Sequence, residues 1–127
     1  GRVLCITSKA VKEPVPSLVL SNSLRAAVTG YLRTLANEVA ADGITVNTVL
    51  PGFTATERLD ALAEATTKRT GTTRDAVYAG WIAQTPAGRL GRPEELAATI
   101  TFFASDRAGF ITGQAILVDG GAVNALL

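Results

Sequence analysis

Apolar residues in this sequence are grouped in two ways, as short continuous runs and as longer periodic stretches. Three short runs predict buried β-strands, at residues 2–7, 44–50 and 115–118. Pro51-Gly52 follows the second run and Asp119-Gly120-Gly121 follows the third, and such residues favour turns. A turn is therefore predicted after each of these two strands, with an acidic site at Asp119 as the alternative.

The longer periodic stretches predict helices. From about Leu18 to Asp42, apolar residues recur at three- and four-residue steps, and Gly43 is a typical helix terminator. Pro93 suits the first position of another helix because it has no backbone N–H to leave unpaired. Two shorter helices are predicted between these, at residues 57–68 and 72–84.

Strands that alternate with helices predict an α/β fold with a parallel sheet. Three strands with flanking helices are the content of one half of a doubly wound Rossmann-type sheet, which is built from two βαβαβ halves. The first strand would then have an unpaired apolar edge, which proteins usually cover. We therefore expect the 127 residues to need a complementary segment and to aggregate without it. A small complete three-layer domain is the alternative.

Composition limits the classes of protein that fit this pattern. The 127 residues are 47% hydrophobic and 18% charged with a formal net charge of +1, which fits a folded domain and excludes a disordered chain. This charge gives no indication of nucleic acid or of an anionic membrane as a partner. No apolar run approaches the roughly 20 residues of a membrane span, and the first residues lack the pattern of a signal peptide. We therefore expect a soluble cytoplasmic protein.

The reactive side chains exclude several kinds of catalysis. The chain contains no histidine, which rules out Ser-His-Asp and Cys-His catalysis and zinc sites that use histidine. Its one cysteine, Cys5, lies in the apolar run of the first strand, so a buried inert thiol is favoured over a nucleophile. Carboxylates occur singly along the sequence, and no metal site is predicted.

Five motifs follow one another in an order and spacing that resemble a known family. They are GRVLCITS at residues 1–8, RAAVTGYLRTLANE at 25–38, GITVNTVLPGF at 43–53, GRLGRPEE at 88–95 and ITGQAILVDGG at 111–121. Together they resemble the C-terminal half of a short-chain dehydrogenase/reductase, most of all the 3-oxoacyl-carrier-protein reductase type. The resemblance implies the C-terminal half of a doubly wound Rossmann-type sheet. It also implies an NAD- or NADP-dependent oxidoreductase acting on a small carbonyl or alcohol substrate.

The resemblance places the catalytic residues at Ser8, Ser21 and Arg25. Counted from Ser8, which matches the family's serine, Ser21 and Arg25 stand at the positions of its Tyr-x-x-x-Lys pair. Tyr31 follows Ser21 at about 280° of helix rotation and is not a substitute. A serine hydroxyl is a far weaker acid than a phenol, and a guanidinium does not release protons. The exchange therefore predicts impaired proton transfer, with Arg25 still able to hold the cofactor by hydrogen bonds.

The loop after the second strand resembles the family's nicotinamide-contacting loop. The resemblance implies cofactor-binding residues at Pro51, Gly52, Phe53, Thr54 and Thr56. An N-cap of the following helix is the alternative role of Thr56. No Gly-x-Gly-x-x-Gly loop follows a strand, so the pyrophosphate is expected to bind in an N-terminal half outside these residues.

The predicted helix over residues 18–42 has apolar residues on more than one face. One face is expected to cover the sheet and another a symmetry mate, which predicts a dimer or tetramer. Trp81 belongs either to a substrate lid or to ordinary helix packing, and Arg89 and Arg92 are expected to be solvated.

The altered catalytic pair leaves two interpretations of function. The first is an oxidoreductase with an atypical proton-transfer set, because the hydride comes from the cofactor and the protein has only to position and polarise the substrate. The second is a non-catalytic, cofactor-binding or structural member of the fold, because a fold alone does not establish a function.

Overall fold

A three-stranded parallel sheet forms the centre of the computed structural model, which describes residues 1–126. The strands are β1 (Arg2–Ile6), β2 (Thr45–Pro51) and β3 (Ala115–Val118), in the order β1-β2-β3. Val3 of β1 pairs with Val46 of β2, and Thr48 of β2 pairs with Ala115 of β3. The parallel α/β architecture expected from the sequence is confirmed.

Four α-helices and three short 3₁₀ helices connect and cover the strands. The α-helices are α1 (Val19–Val39), α2 (Glu57–Thr70), α3 (Arg74–Ala83) and α4 (Pro93–Ala104). The 3₁₀ helices cover Lys9–Val11, Ala40–Asp42 and Asp106–Ala108. Among the described residues, no helix combines the length and the apolar character that crossing a membrane requires.

Some predicted boundaries are wrong by a few residues, for local reasons. α1 ends at Val39 rather than Asp42 because the chain tightens into the 3₁₀ turn Ala40–Asp42 before Gly43 ends it with a φ of 70°. α2 continues to Thr70, where Gly71 takes the left-handed conformation with a φ of 71°. α3 begins later than predicted because the hydroxyl of Thr73 accepts a hydrogen bond from the N–H of Ala76 and caps the helix.

Strand β2 is the buried centre of the sheet. Val46, Val49 and Leu50 are at most 1% exposed, and the polar residues Thr45, Asn47 and Thr48 between and before them are at most 5% exposed, so both faces of the strand are covered. Leu32 and Ala36 of α1 pack against Val46 on one face of the sheet. Cys5, a partly buried free thiol on β1, packs against the same cluster, as the sequence indicated.

A buried amide fixes β3 against β2. Asn47 is 1% exposed, and its Nδ2 donates to the carbonyl of Ile111 at 2.8 Å while its Oδ1 accepts from the N–H of Gln114 at 3.1 Å. The hydroxyl of Thr112 accepts from the N–H of Val46 at 3.0 Å. These bonds satisfy the buried polar atoms and set the register with which β3 joins the sheet.

Candidate active site

A cleft of about 410 Å³ opens where β1 and β2 end and α1 begins. Parallel strands present their carboxyl ends at one edge of a sheet, and ligands of open α/β sheets bind outside that edge. The cleft is lined by every residue that the resemblance singles out, namely Ser8, Ser21, Arg25, Pro51, Gly52, Phe53, Thr54 and Thr56. Residues that are far apart in the sequence therefore share one cavity.

Ser21 and Arg25 form a hydrogen-bonded pair on the first turns of α1. Nε of Arg25 donates to Oγ of Ser21 at 3.1 Å, across one helical turn. Nη1 of Arg25 donates to the carbonyl oxygen of Thr7 at 2.6 Å. The guanidinium is thus tied both to its own helix and to the end of β1. The oxygen of Ser21 is an acceptor in this pair, so its hydroxyl hydrogen can be donated elsewhere.

Ser8 emerges directly from the carboxyl end of β1. The N–H of Thr7 still donates to the carbonyl of Val49 at 3.0 Å, which extends the β1–β2 pairing by one residue. Oγ of Ser8 then accepts from the N–H of Ala10 at 3.1 Å and caps the 3₁₀ helix Lys9–Val11. The bond fixes the position of the hydroxyl and leaves its hydrogen available to a ligand.

Two backbone hydrogen bonds join the loop after β2 to a second loop, which carries Gly91. The N–H of Gly91 donates to the carbonyl of Phe53, and the N–H of Ala55 donates to the carbonyl of Gly91, both at 2.9 Å. Within residues 1–126, the N–H groups of Phe53 and Thr54 have no acceptor. Two backbone donors therefore remain for a ligand beside the cleft.

Thr56 is an N-cap, which was one of its two predicted roles. Its Oγ1 accepts from the N–H of Leu59 at 3.4 Å at the start of α2. The hydroxyl of Thr54 has only a 3.5 Å contact with the carbonyl of Gly52. Of the two threonines, Thr54 is the one whose hydroxyl is free to meet a ligand.

Gly52 permits the close approach of the two strand ends. A Cβ added at Gly52 would lie 2.6 Å from both Cα and Cβ of Asp119. The carboxylate of Asp119 accepts from the N–H groups of Gly121 and Val123, at 3.0 and 2.9 Å. Asp119 therefore closes the predicted turn after β3, and a side chain at Gly52 would displace that turn.

We expect Gly52→Ala to lower the free energy of unfolding of the full-length protein by about 1–3 kcal/mol, because the backbone around Asp119 must move. Urea unfolding followed by circular dichroism measures the change. Gly80→Ala on α3 is the matched control, since an added Cβ there meets no atom within 4 Å. Equal unfolding midpoints for Gly52→Ala and the parent would contradict this assignment.

Three packed aromatic side chains lie beside the cleft on the side of α3. The ring of Trp81 stacks on Phe53 with centroids 5.4 Å apart, and Tyr78 meets Trp81 edge to face at 5.3 Å. The hydroxyl of Tyr78 donates to Asp60, whose pKa it lowers, with Arg74 adding to the effect at 2.8 Å. Trp81 thus takes part in helix packing, and it also lines a second cavity of about 560 Å³.

Arg89 is exposed to solvent, as expected, and it is also paired with Glu95, which the sequence did not predict. Its Nη1 and Nη2 donate to the two carboxylate oxygens of Glu95 at 2.9 and 2.7 Å. The N–H of Arg92 also donates to Glu95 at 2.8 Å, and its side chain lies 3.5 Å from the same carboxylate. These contacts, with Arg89 first, lower the pKa of Glu95 from 4.5 to about 2. The pair anchors the loop that carries Gly91.

This depressed pKa predicts how stability responds to acid. The contribution of Glu95 to the free energy of unfolding should be complete above pH 4.5 and disappear as the pH falls toward 2. The reason is that the pKa of this carboxyl is lower in the folded state than in the unfolded state. Urea unfolding of the parent and of Glu95→Gln at a series of pH values measures it. The difference in free energy of unfolding between the two proteins should shrink below pH 4.5. A difference that instead grows as the pH falls would contradict the pairing.

Two features of the site were missed from the sequence. The ammonium of Lys9 lies 4.6 Å from the centre of the Phe53 ring, and its only sequence signal is its position after Ser8. Asn22 holds the loop before α1, because its Nδ2 donates to the carbonyl of Val15 at 2.9 Å and its Oδ1 accepts from the same residue's N–H at 3.4 Å. The position of Asn22 next to Ser21 in the sequence did not indicate that its side chain would reach Val15.

Comparison with known proteins agrees with this geometry. A family model described as Enoyl-(Acyl carrier protein) reductase matches residues 1–123, which is nearly the whole chain. The chain belongs to the short-chain dehydrogenase/reductase family. Within that family it is similar to the 3-oxoacyl-carrier-protein reductases. The 3-oxoacyl-[acyl-carrier-protein] reductase FabG of Haemophilus influenzae is 40% identical over 121 residues, covering 95% of this chain and 46% of that protein.

Other members of the short-chain dehydrogenase/reductase family show the same partial coverage. The short-chain reductase protein NovJ of Streptomyces niveus is 39% identical over 95% of this chain and 44% of its own length. A crystal structure of the F189W actinorhodin polyketide ketoreductase with NADPH superposes with a TM-score of 0.93 at 29% identity, over 98% of this chain and 48% of that one. The chain thus spans less than half the length of these relatives.

Proposed function

We propose that the protein is an NAD- or NADP-dependent oxidoreductase that interconverts a carbonyl and a hydroxyl group of a small molecule. The observation that carries this proposal is the single cleft onto which Ser8, the Ser21–Arg25 pair and the loop after β2 all open. Relatives support the proposal, because they are described as reductases and one of them was solved with NADPH. The Ser21–Arg25 pair makes this an atypical member.

The residues around the cleft fit the nicotinamide part of the cofactor. The free N–H groups of Phe53 and Thr54 are donors for a carboxamide oxygen, and Gly52 keeps the backbone there accessible. Lys9, Arg25 and Arg58 line the cleft, and no carboxylate does so among the described residues, which suits a substrate oxygen that gains negative charge during the reaction. When bound, the cofactor supplies or accepts the hydride.

Each catalytic position has a task that its observed contacts allow. Ser8 donates its hydroxyl hydrogen to the substrate oxygen, because its lone pair already receives the N–H of Ala10. Arg25 uses two of the five donors of a guanidinium on Ser21 and Thr7. Its remaining donors hold a ribose hydroxyl or stabilise charge on the substrate oxygen. Neither residue readily supplies a proton to that oxygen.

The pyrophosphate is expected to be held outside this chain. Residues 1–126 contain no glycine-rich loop between a strand and a helix, and the relatives are more than twice as long as their matched region. We therefore include in the proposal an N-terminal half that completes the doubly wound domain and pairs with the free edge of β1.

Cofactor binding and turnover together test this function. The full-length protein is expected to enhance the fluorescence of NADH or NADPH on binding and to oxidise it slowly with a panel of small ketones. Saturable fluorescence without turnover on any ketone or alcohol would favour the alternative, a non-catalytic cofactor-binding member. The absence of any cofactor binding would contradict both.

A further inference from the structure

Lys9 occupies the junction between the reaction cleft and the cavity beside it. It lines both the cleft of about 410 Å³ and the adjoining cavity of about 560 Å³. Its ammonium lies over the ring of Phe53, 4.6 Å from the centroid. Within residues 1–126, this ammonium takes part in no ion pair and no hydrogen bond. Apart from the Phe53 ring, this cation therefore has no partner among the described residues at the site of the proposed chemistry.

The backbone around Lys9 is held firmly beside Ser8. The carbonyl of Lys9 accepts from the N–H groups of Lys12 and Glu13, at 2.9 and 3.1 Å. Ser8 caps the same turn through Ala10. Adjacent Cα atoms are about 3.8 Å apart, so the flexible lysine side chain can bring its nitrogen to the oxygen that Ser8 contacts.

The charged groups near Lys9 do not provide a proton donor. Besides Lys9, the two cavities are lined by Arg25, Arg58, Arg69 and Glu13. Arginine does not release its proton in proteins, and an ionised carboxylate has none to give at neutral pH. Of the side chains that line the cavities, only Lys9 combines a positive charge with a transferable proton.

The two tyrosines lie elsewhere. The hydroxyl of Tyr78 donates to Asp60 between α2 and α3. Tyr31 is 66% exposed on α1 and does not line the cleft. Neither tyrosine therefore replaces the family's catalytic tyrosine, whose position Ser21 occupies here.

We propose that Lys9 is the proton donor of this site, an inference that rests on the proposed oxidoreductase function. As the carbonyl carbon accepts the hydride, the π electron pair of the C=O bond moves onto oxygen. An N–H bond of the Lys9 ammonium breaks and its proton forms the new O–H bond, leaving a neutral amine that water reprotonates. An ammonium and a phenol have similar reference pKa values, about 10.4 and 10, so a lysine can replace a tyrosine in this task.

Replacement of Lys9 in the full-length protein tests the proposal. Lys9→Met and Lys9→Arg are both expected to lower kcat by about 10²-fold or more, since general acid catalysis is worth that much. The arginine variant keeps the charge but not the transferable proton. Cofactor affinity, measured by nicotinamide fluorescence, should not change in either. Lys12→Met is the matched control, because Lys12 lies at the end of the same turn and lines a different cavity.

A second readout does not depend on turnover. In NMR spectra of protein labelled at lysine Cε, the Lys9 signal is expected to shift when an alcohol product is added to the complex with oxidised cofactor. The Lys12 signal should stay in place. An unmoved Lys9 signal would overturn the proposal.

Kinetics separate this proposal from the function on which it rests. If the parent turns over and Lys9→Arg retains its kcat, or if only KM rises in Lys9→Met, then Lys9 is not the donor although the oxidoreductase function stands. A parent with no turnover at all overturns both proposals.

Discussion

In the Lys9→Met background, replacing Ser21 with tyrosine and Arg25 with lysine together is expected to raise kcat of the full-length protein by about 10²-fold or more, because the new pair supplies the proton that Lys9 no longer gives. A phenol held by a neighbouring ammonium can give up a proton, whereas the Ser21 hydroxyl is too weak an acid and the Arg25 guanidinium keeps its proton. The larger tyrosine also reaches several ångströms further into the cleft. The two changes act as a unit, so the double variant should gain far more than the sum of the single variants.

Steady-state rates of Lys9→Met alone, with each single change and with both changes measure this coupling. Ser23→Tyr is the matched control, because the hydroxyl of Ser23 donates only to the carbonyl of Val19 on the same helix. In the double variant, Lys9→Met should have little effect, since the new tyrosine takes over its task. A Lys9→Met protein that is already fast and is slowed by the double change would contradict impaired proton transfer at Ser21 and Arg25. Ser8, Ser21 and Arg25 would then form a working alternative site.

Introducing charge on the exposed apolar face of α1 is expected to convert an oligomeric protein into a smaller species. Leu20, Leu24 and Tyr31 are 79%, 66% and 66% exposed and lie along one side of the helix, while Leu32 and Ala36 face the sheet. Burial of such a face against a symmetry mate would remove this apolar area from water. Leu20→Glu with Leu24→Glu should therefore dissociate the assembly.

Sedimentation velocity of the full-length protein at micromolar concentration measures the assembly. Val19→Glu is the control, because Val19 is 73% exposed but lies about 140° from Leu24 around the helix. Its sedimentation coefficient should match that of the parent. A parent that sediments as a monomer would contradict the prediction of a dimer or tetramer.

The architecture was largely predictable because burial and periodicity agree in most elements. β2 is rich in β-branched and apolar residues and both of its faces are covered, and α1 shows an apolar stripe because Leu32 and Ala36 contact the sheet. The helix ends were less predictable. The 3₁₀ turn after Val39 depends on a backbone hydrogen bond and the cap at Thr73 on a side-chain hydrogen bond, neither of which hydrophobic periodicity reports.

The site was predictable only where residues match a motif position. The step from Ser21 to Arg25 indicates a shared helix face, and the structure adds the hydrogen bond between them. The bond from Arg25 to Thr7 and the position of Lys9 over Phe53 join segments distant in sequence, so neither follows from spacing along the chain. The ion pair of Arg89 with Glu95 was missed because it depends on how the loop between them folds back on α4.

Hydride transfer is the most direct test of the proposed function. The full-length protein can be incubated with NADH or NADPH that carries deuterium at both C4 positions of the nicotinamide, together with a panel of ketones, and the products examined by mass spectrometry. An enzyme built on this cleft is expected to yield an alcohol that carries the deuterium on its carbinol carbon. Tight cofactor binding with no deuterium in any product would contradict the enzyme and identify a non-catalytic member of the family.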